Sequence, residues 1–422
     1  MTSNLILVTG ATGYIASRLI PQLLNRGHRV RALARQPHRL NSRAWLPQVE
    51  VFQGDVTDPS TLAPALEGVH TAYYLIHNMA SGFGYTAREL RGARNFARAT
   101  EDAGLRHIIY LGGLADPEQH IAPHLRSRIE TGAALRQGKI PVTEFRAGII
   151  AGPGSISFEM IRFMTELFPV IPAPPGVKNK SQPIATQNVV DYLLAALDNW
   201  DGHGQVLEIG GPAITTYYDL MLCYARARGL KRRFLLLPCI PVWFMAFGIG
   251  LASPVPRRIA HALIGGLSSD SVVMHADARK IYPEVNLVDF ETVVREAMSR
   301  LHPHKIELWD ETKSFKHEGF FIDRRRVKTQ ATPGHLPGAA KKMARQFVVE
   351  PAADDVTLAR LTMKMPGSAW LEWKLERGFV SQTVFFAPRG LPGFFYWHLL
   401  RAFHLFIFLR LKKSTPRNSV VK

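Results

Sequence analysis

Residues 5–16 read Leu-Ile-Leu-Val-Thr-Gly-Ala-Thr-Gly-Tyr-Ile-Ala, and this stretch decides the fold of the N-terminal part of the chain. Residues 5–8 are wholly apolar, as in a parallel strand that is covered on both faces. Gly10 and Gly13 follow them in a turn. Beyond the turn, apolar residues recur at helical spacing, namely Ile15, Leu19, Leu23 and Leu24. The stretch predicts a strand, a glycine turn and a helix in immediate succession.

A glycine turn between a buried strand and an amphipathic helix is typical of dinucleotide-binding units. Gly10 permits the tight turn, Gly13 lets a pyrophosphate approach the backbone, and Ala16 replaces the third glycine, which serves close packing. The N–H groups at the helix start bind the anion. An ordinary strand, turn and helix is the alternative, which the context makes less favoured. The predicted cofactor-binding residues are Thr9, Gly10, Thr12, Gly13, Tyr14, Ile15, Arg35, Asp55, Val56 and Leu75.

Five further apolar runs continue the alternation of strands and helices. They cover residues 30–34, 49–53, 72–76, 107–111 and 142–146. Helical patterns lie between several of them, most clearly over 85–103. Repeating βαβ units predict a doubly wound parallel sheet with helices on both faces. The predicted fold class is α/β, a Rossmann-type sheet with a capping region, followed by a small α+β domain.

The end of the second predicted strand indicates which dinucleotide binds. NAD sites usually place an Asp or Glu there to hold the ribose hydroxyls. This strand ends Ala34-Arg35, and no acidic residue follows before Glu50. Because a guanidinium forks onto phosphate oxygens, Arg35 suits the 2′-phosphate of NADP. We expect NADP(H), with NAD(H) less favoured, and a surface arginine without a role is the alternative. Asp55, after the third strand, is placed to meet the adenine amino group.

The chain carries 52 Lys and Arg against 34 Asp and Glu, a formal net charge of +18. Residues 301–422 hold 21 of the basic and 10 of the acidic residues and so supply +11. Such a tail suits an anionic surface, and a merely solvated basic surface explains it equally well. Residues 1–4 leave no room for a signal peptide, which predicts a cytoplasmic protein. Cys223 and Cys239 show no metal spacing, in keeping with a reducing compartment.

Beyond residue 150 the alternation loosens. Prolines and glycines mark loops over 152–154 and 169–175, and helical patterns cover 188–197 and 217–228. Residues 235–253 form an apolar run that prolines and glycines interrupt, which favours a buried hydrophobic cap over a transmembrane segment. The predicted divisions are 1–230 for the dinucleotide-binding domain, 231–305 for the cap and 317–422 for a C-terminal domain.

The C-terminal region alternates apolar and polar residues on both sides of Pro366-Gly367, over 361–365 and 369–375. That pattern predicts an antiparallel hairpin with one buried face. Residues 381–386 add another predicted strand, and 393–411 form a closing helix.

These features together resemble the atypical short-chain dehydrogenase/reductase superfamily. The glycine turn and Gly54-Asp55-Val56 match its nucleotide-binding pattern. Further segments are similar to a bacterial subgroup in which an NmrA-like or epimerase-like Rossmann domain precedes a domain related to the START/polyketide-cyclase fold. They are 110–114, 124–128, 157–162, 182–185, 363–372, 388–393 and 396–397. The resemblance covers most of the chain and implies a shortened START-like domain, since the stretch between Val327 and Leu358 is short for the family.

The resemblance also implies catalytic positions, and there the chain departs from the family. Members that transfer hydride use a Tyr-x-x-x-Lys pair with an upstream Ser or Thr, and this sequence contains no Tyr-x-x-x-Lys. By the surrounding residues, His124 and Arg128 take the tyrosine and lysine places, and Gly112-Gly113 replace the hydroxyl. Histidine can move a proton near neutral pH, whereas arginine keeps its charge and can orient an anion. A helix-start histidine without a catalytic task is the alternative for His124.

Three functions are open from the sequence. The favoured one is an NAD(P)-dependent oxidoreductase or isomerase with a non-standard active site, acting on an apolar small molecule under the cap. The second is a non-catalytic NADP(H)-sensing regulator, and the third is a membrane-peripheral scaffold that binds a lipid or quinone. The sequence shows no metal spacing, no nucleophile motif and no nucleic-acid motif, so neither a metal nor a nucleic-acid partner is expected.

The closing helix is predicted to contact a membrane surface peripherally, at its inner face. A narrow polar stripe follows an otherwise apolar helix: His398, Arg401 and His404. The helix is too short to span about 30 Å of hydrocarbon comfortably. Aromatic and basic residues suited to an interface accompany it, namely Tyr396, Trp397, Arg410, Lys412 and Lys413. The alternative is that the helix packs on the C-terminal sheet.

Overall fold

The computed structural model describes residues 4–77, 84–116, 118–119, 121–238, 241–252, 255, 257–306, 314–317, 319–328, 347–352, 356–376 and 379–399. Its strands are β1 Leu5–Thr9, β2 Arg29–Ala34, β3 Glu50–Gln53, β4 Thr71–Tyr74, β5 His107–Gly113, β6 Val142–Ala147, β7 Ile150–Ala151, β8 Val170–Ala173, β9 Lys180–Ser181, β10 Ile184–Ala185, β11 Val206–Ile209, β12 Thr215–Thr216, β13 Arg233–Leu236, β14 Ser314–His317, β15 Phe320–Lys328, β16 Phe347–Glu350, β17 Val356–Leu361, β18 Gly367–Glu376 and β19 Phe379–Pro388.

The α-helices are α1 Ala16–Asn25, α2 Leu62–Leu66, α3 Tyr85–Asp102, α4 Pro123–Leu135, α5 Ile156–Leu167, α6 Thr186–Asp198, α7 Tyr217–Ala227, α8 Val242–Ala252, α9 Arg257–Gly265, α10 Asp277–Ile281, α11 Phe290–Ser299 and α12 over 390–399. Single 3₁₀ turns connect some of them: Pro37–Leu40, Leu46–Gln48, Pro59–Thr61, Pro175–Lys178, Trp200–Gly202, Gly266–Ser268 and Pro303–Lys305.

A seven-stranded sheet organises the N-terminal half, in the order β3-β2-β1-β4-β5-β6-β11. Every pairing within it is parallel. The chain runs outward from β1 to β3 and then crosses to β4, so the strand order reverses between β1 and β4. A reversal of this kind opens a crevice beyond the carboxyl ends of the two strands, where α/β sheets bind ligands.

Burial explains why these runs form strands. All residues of β1 and β5 are buried, because helices cover both faces of the sheet. One face packs against α1 and α6 and the other against α3. The predicted α/β sheet and its six strands are confirmed, whereas the seventh strand was missed. Its sequence Val-Leu-Glu-Ile is too short and mixed to predict a strand.

The region between the two sheets forms a second apolar core from α5, α7, α8, α9 and α11. The predicted cap is present, but the expectation that it is buried is only half correct. In α8 one side packs inward through Ala246 and Ile249, while Trp243, Phe244 and Phe247 are exposed. Among the described residues, no helix combines the length and the apolar character needed to cross a membrane.

Six strands form an antiparallel C-terminal sheet in the order β14-β15-β19-β18-β17-β16. The predicted hairpin exists, since β17 pairs antiparallel with β18, but its turn was misplaced. Residues 362–366 form the connection, and the strand before it is Val356–Leu361. The antiparallel sheet is established, and its relation to the START/polyketide-cyclase fold stays a prediction.

The closing helix packs on this sheet. Trp397 in α12 is buried, and its ring stacks on Phe386 with centroids 5.7 Å apart. Placing Trp397 at a membrane interface was therefore wrong, because the sheet already covers it. Phe395 and Leu399 on the same helix are exposed. The rest of the predicted helix, with Arg401, His404, Arg410, Lys412 and Lys413, lies outside the described residues, as does Cys239.

Candidate functional site

The glycine turn lies against the end of the neighbouring strand β4. Gly10 has φ +66°, and a Cβ built on it would lie 2.6 Å from the carbonyl oxygen of Leu75. The backbone N–H of Gly13 donates to the carbonyl oxygen of Gly10 over 2.8 Å and closes the turn. Only glycine combines this backbone conformation with so close an approach. Gly10 therefore determines the backbone surface at the bottom of the cleft.

The helix after the turn begins in a form that suits an anion. Among the described residues, no side chain caps the start of α1, and its first turn holds no acidic residue. The N–H groups of a helix start carry a partial positive charge and point at what lies before the helix. Together with the glycine turn, this arrangement suits a pyrophosphate group, as the sequence predicts.

A cavity of about 870 Å³ opens over the turn and extends beyond the carboxyl ends of the sheet. It brings together eleven of the twelve predicted site residues: Gly10, Thr12, Gly13, Tyr14, Ile15, Arg35, Asp55, Val56, Leu75, His124 and Arg128. Sequence reasoning missed other side chains of its wall, among them Arg39, His77, Arg88, Leu114 and Tyr217. His77 was open to prediction, because it follows β4 at the carboxyl end of the sheet.

Thr9 is the predicted site residue that does not line the cavity. It is fully buried, and its hydroxyl donates to the carbonyl oxygen of Tyr73 over 3.1 Å. The same hydroxyl accepts the N–H of Leu75 over 3.2 Å. Thr9 therefore ties β1 to β4 beneath the glycine turn and shapes the site from below.

Tyr14 holds the turn from the other side. Its hydroxyl donates to the carbonyl oxygen of Pro153 over 3.0 Å and lies 2.9 Å from the hydroxyl of Thr186. The guanidinium of Arg18 covers its ring, 3.8 Å from the centroid. Three separate segments thus meet at Tyr14, and this fixes the wall of the cavity beside the helix start.

The outer end of the cavity is basic. Arg35 and Arg39 both line it, and Arg88 joins them from α3. The guanidinium of Arg35 is largely exposed, with its Nη1 4.0 Å from Oδ2 of Asp55. The other oxygen of Asp55 accepts from the N–H and the hydroxyl of Thr57, each over 2.9 Å. This end can therefore hold a phosphate group.

The inner end of the cavity holds His124 and Arg128, one turn apart on α4. His124 is buried, and burial, with the charge of Arg128 as a lesser cause, lowers its pKa to about 4. Its imidazole is therefore neutral at physiological pH. Burial is also the main cause that lowers the pKa of Arg128 and of His77, which completes the group.

The hydrogen bonds of Arg128 are incomplete at one nitrogen. Its Nε is buried, and within the described part of the chain it has no hydrogen-bond partner. Buried donors in folded proteins are paired in the great majority of cases, and an exception calls for an explanation. Because Nε has almost no accessible surface, a bound group in the cavity can meet Arg128 only at other atoms of its side chain.

Of the two glycines at the expected hydroxyl position, Gly113 lies against Arg128. A Cβ at Gly113 would lie 2.7 Å from Cδ of Arg128 and 3.1 Å from Leu125. The long arginine side chain thus runs through the space that a larger residue at 113 would need. The residue at position 113 and the path of the Arg128 side chain are therefore sterically coupled.

The cap closes the inner end. Ile259 and Leu263 of α9 and the following Leu267 line the cavity opposite the sheet. A Cβ at Gly266 would lie 3.2 Å from Cε1 of His124, so the cap loop lies directly over the imidazole. With Ile149 and Ile156, these residues give the inner end an apolar part, and Ser157, Asn179 and Ser271 line the cavity as well.

A family model described as NAD(P)H-binding matches residues 10–138. The chain is 34% identical over 115 residues to 3 beta-hydroxysteroid dehydrogenase/Delta 5→4-isomerase of Mycobacterium tuberculosis, covering 25% of this chain and 30% of that protein. The chain thus spans about a third of the length of this curated relative.

Two solved structures share the fold of the N-terminal part. Citrobacter sp. triphenylmethane reductase complexed with NADP(H) is 21% identical with a TM-score of 0.56, over 69% of this chain and 99% of that one. An NADPH-dependent quinone oxidoreductase of Escherichia coli, complexed with NADPH, is 19% identical with a TM-score of 0.57, over 69% and 99%. At these identities the likeness concerns the fold.

Residues 10–138 therefore match an NAD(P)H-binding family, and they lie on a Rossmann-type parallel sheet. The match to the NAD(P)H-binding family model supports the predicted nicotinamide dinucleotide, and the choice of NADP(H) over NAD(H) stays a prediction. The cavity fits such a cofactor: a turn that only glycine can make, an uncapped helix start and a basic outer end lie along one wall.

Proposed function

We propose that the protein is an NADP(H)-dependent reductase of an apolar carbonyl or quinone compound, with His124 and Arg128 in place of the family's Tyr-x-x-x-Lys pair. The observation that carries this proposal is the side chain of Arg128 on the cavity wall, one helical turn from the neutral imidazole of His124. Bound NADPH supplies a hydride to an electrophilic carbon. The residues of this chain bind and polarise the acceptor.

Arg128 is the electrostatic part of this mechanism. Reducing a carbonyl places negative charge on its oxygen, and a fixed cation in a cavity shielded from water stabilises that charge strongly. Arginine does not exchange its proton at ordinary pH. Arg128 therefore holds the developing oxyanion and leaves the proton transfer to another donor.

His124 is the hydrogen-bonding part. Because its pKa is lowered to about 4, the imidazole stays neutral and offers one N–H. A neutral imidazole can polarise a carbonyl oxygen as a hydrogen-bond donor. The proton that completes the reduction then comes from water.

The preference for NADP(H) rests on the basic outer end. Arg35 and Arg39 lie where the second strand ends, the place at which NAD-binding members carry an acidic residue. Guanidinium groups bind phosphate oxygens in pairs. The NADP(H) and NADPH complexes of the two neighbours support the same choice.

We also propose that the C-terminal domain is related to the START/polyketide-cyclase fold. A six-stranded antiparallel sheet with the aromatic face of α12 packed on it supports this reading. Phe321 of this sheet lies 5.8 Å from Phe163 of α5, centroid to centroid, so the unit adjoins the reductase core.

The test is oxidation of NADPH with a panel of quinones and aromatic aldehydes or ketones. Arg128→Ala should lower kcat/KM by about a hundredfold or more, the usual effect of losing a donor to a developing oxyanion. The matched control is Arg126→Ala, an exposed arginine on the same helix. Tight NADPH binding without turnover of any acceptor would contradict the reductase and leave a sensor.

A second variant restores the family's chemistry. His124→Tyr combined with Arg128→Lys rebuilds the Tyr-x-x-x-Lys spacing in the same helix. If the two present residues act by polarisation alone, this variant should add a fall in rate at alkaline pH, because the tyrosine acts as a proton donor and loses its proton near pH 10. An unchanged pH profile would mean that neither position contacts the acceptor.

A further inference from the structure

The helix α8 carries an exposed aromatic face that neither the cofactor site nor the sheets use. Its eleven residues Val-Trp-Phe-Met-Ala-Phe-Gly-Ile-Gly-Leu-Ala contain no charged or polar side chain. Trp243, Phe244 and Phe247 are 65%, 54% and 44% exposed. Their spacing puts them on one side of the helix, opposite Ala246 and Ile249, which face the core. A surface this apolar normally meets a partner or a membrane.

The charges around this face identify the partner. Residues 220–269 contain seven Lys and Arg and no Asp or Glu. Lys231, Arg233 and Arg258 are exposed beside the helix in sequence. The guanidinium of Arg257 lies over the ring of Phe247, 4.1 Å from its centroid. Aromatic side chains accompanied by cations, with no acidic residue in the same stretch of sequence, match an anionic phospholipid surface.

The length of the helix decides how it would meet that surface. Eleven residues span about 17 Å, well short of the hydrocarbon core. The helix can therefore lie in the interface with its aromatic face among the headgroups.

We propose that the exposed face of α8 docks the protein on an anionic phospholipid membrane. The neighbouring helix α9 packs against α8 and lines the cavity through Ile259 and Leu263. In this helix pair, α8 faces the membrane and α9 faces the cavity. Resting on the proposed function, this arrangement makes the acceptor a lipid-soluble compound, such as a membrane quinone, that reaches the cavity from the bilayer.

The test is co-sedimentation, without cofactor, with vesicles of phosphatidylcholine and phosphatidylglycerol and with pure phosphatidylcholine vesicles. The unmodified protein should bind the anionic vesicles, and Trp243→Ser/Phe244→Ser/Phe247→Ser should bind at least about tenfold more weakly. The matched control is Trp200→Ser/Phe395→Ser, since these side chains are 67% and 52% exposed on other surfaces. Phe395 also tests the closing helix as the docking element.

A charge variant, Lys231→Gln/Arg233→Gln/Arg258→Gln, leaves the apolar face intact and should lower binding to anionic vesicles by at least about tenfold. NADPH titration of each variant in the absence of vesicles shows that the fold and the cofactor site persist. NADPH oxidation with a water-soluble quinone, also measured without vesicles, separates failure of docking from failure of the reductase.

Three results would overturn the proposal. The first is full recovery of the unmodified protein in the supernatant at low salt. The second is an equal loss of binding in the control variant. The third is a dimer that becomes a monomer when the α8 face is changed, seen by sedimentation velocity with no vesicle binding, which would make a second copy the occupant.

Discussion

The two ends of the cavity are built on different principles. At the cofactor end, backbone geometry makes the site: Gly10 at φ +66°, the uncapped start of α1 and the carboxyl end of β4. The inner end of the cavity, where we propose that the acceptor binds, is called the acceptor end. Two side chains make it, His124 and Arg128 on one helix under the cap. The comparison shows why the cofactor end can be inferred from a sequence motif and the acceptor end cannot. A backbone site tolerates few residues, whereas a side-chain site changes its chemistry when one residue changes.

The largest expected effect comes from adding one methyl group at the cofactor end. Gly10→Ala should lower the free energy of unfolding by more than about 3 kcal/mol, since it combines a left-handed backbone with a collision against a carbonyl oxygen. The matched control is Gly27→Ala at φ +82°, where a Cβ meets nothing within 4 Å, so only backbone strain of about 1 kcal/mol applies. Denaturant unfolding measures both, and equal losses would show that the contact with Leu75 is not limiting.

The next effect concerns the acceptor end and its pH dependence. The folded-state pKa of His124 is about 4, below its ordinary value of 6.5, so the folded state binds fewer protons between these values. This contribution to stability is present in full above about pH 6.5 and is lost as the pH falls toward 4. It amounts to about 3 kcal/mol at most.

The measurement is denaturant unfolding at pH 7 and pH 4.5. His124→Gln should lose less stability on acidification than the unmodified protein, because glutamine binds no proton. His38→Gln, at an exposed histidine outside the acceptor end, should behave as the unmodified protein does. The same acid sensitivity in all three proteins would place the effect elsewhere, for instance at His107, whose pKa burial lowers to about 3.

The sequence predicts the cofactor end well because the required physical features are local. Residues 5–16 contain the strand, the turn and the helix, and nine of the ten predicted cofactor-binding residues line the cavity. Thr9 departs because its burial depends on how β4 pairs with β1, which a local pattern does not contain. Arg88 was missed for a similar reason, since it reaches the cavity from α3, far along the chain from β2.

In the cap, by contrast, the sequence pattern does not predict which residues are exposed. Residues 235–253 are apolar, and apolar runs are normally buried, so the sequence predicts a covered element. The structure instead turns Trp243 and Phe244 outward, since α8 has apolar residues on both sides and only one side meets the core. Periodicity fails as a guide when every face of a helix is apolar. The hairpin turn at 362–366 was misplaced for a related reason, since its residues continue the alternation of the strands.

A third prediction sharpens the comparison at the outer end of the cavity. Arg35→Asp should weaken NADP(H) binding by about 1–3 kcal/mol, the scale of a charge-assisted contact, and leave NAD(H) binding nearly unchanged. Arg29→Asp, at the start of the same strand and outside the cavity wall, is the control for net charge. Fluorescence titration measures both cofactors. Equal affinity of the unmodified protein for NADP(H) and NAD(H) would remove the argument from Arg35.

The smallest expected effect tests whether the two departures at the acceptor end are one change. Gly113→Ala puts a Cβ 2.7 Å from Cδ of Arg128, so the arginine must shift, and stability should fall by about 1–2 kcal/mol. In an Arg128→Ala background the space is open, and the same substitution should be nearly neutral. Gly112→Ala serves as the control, since its Cβ would meet Tyr110 at 3.1 Å whether or not Arg128 is present. A double-mutant cycle by denaturant unfolding gives the coupling, and equal losses at Gly113 in both backgrounds would mean that glycine and arginine arose there independently.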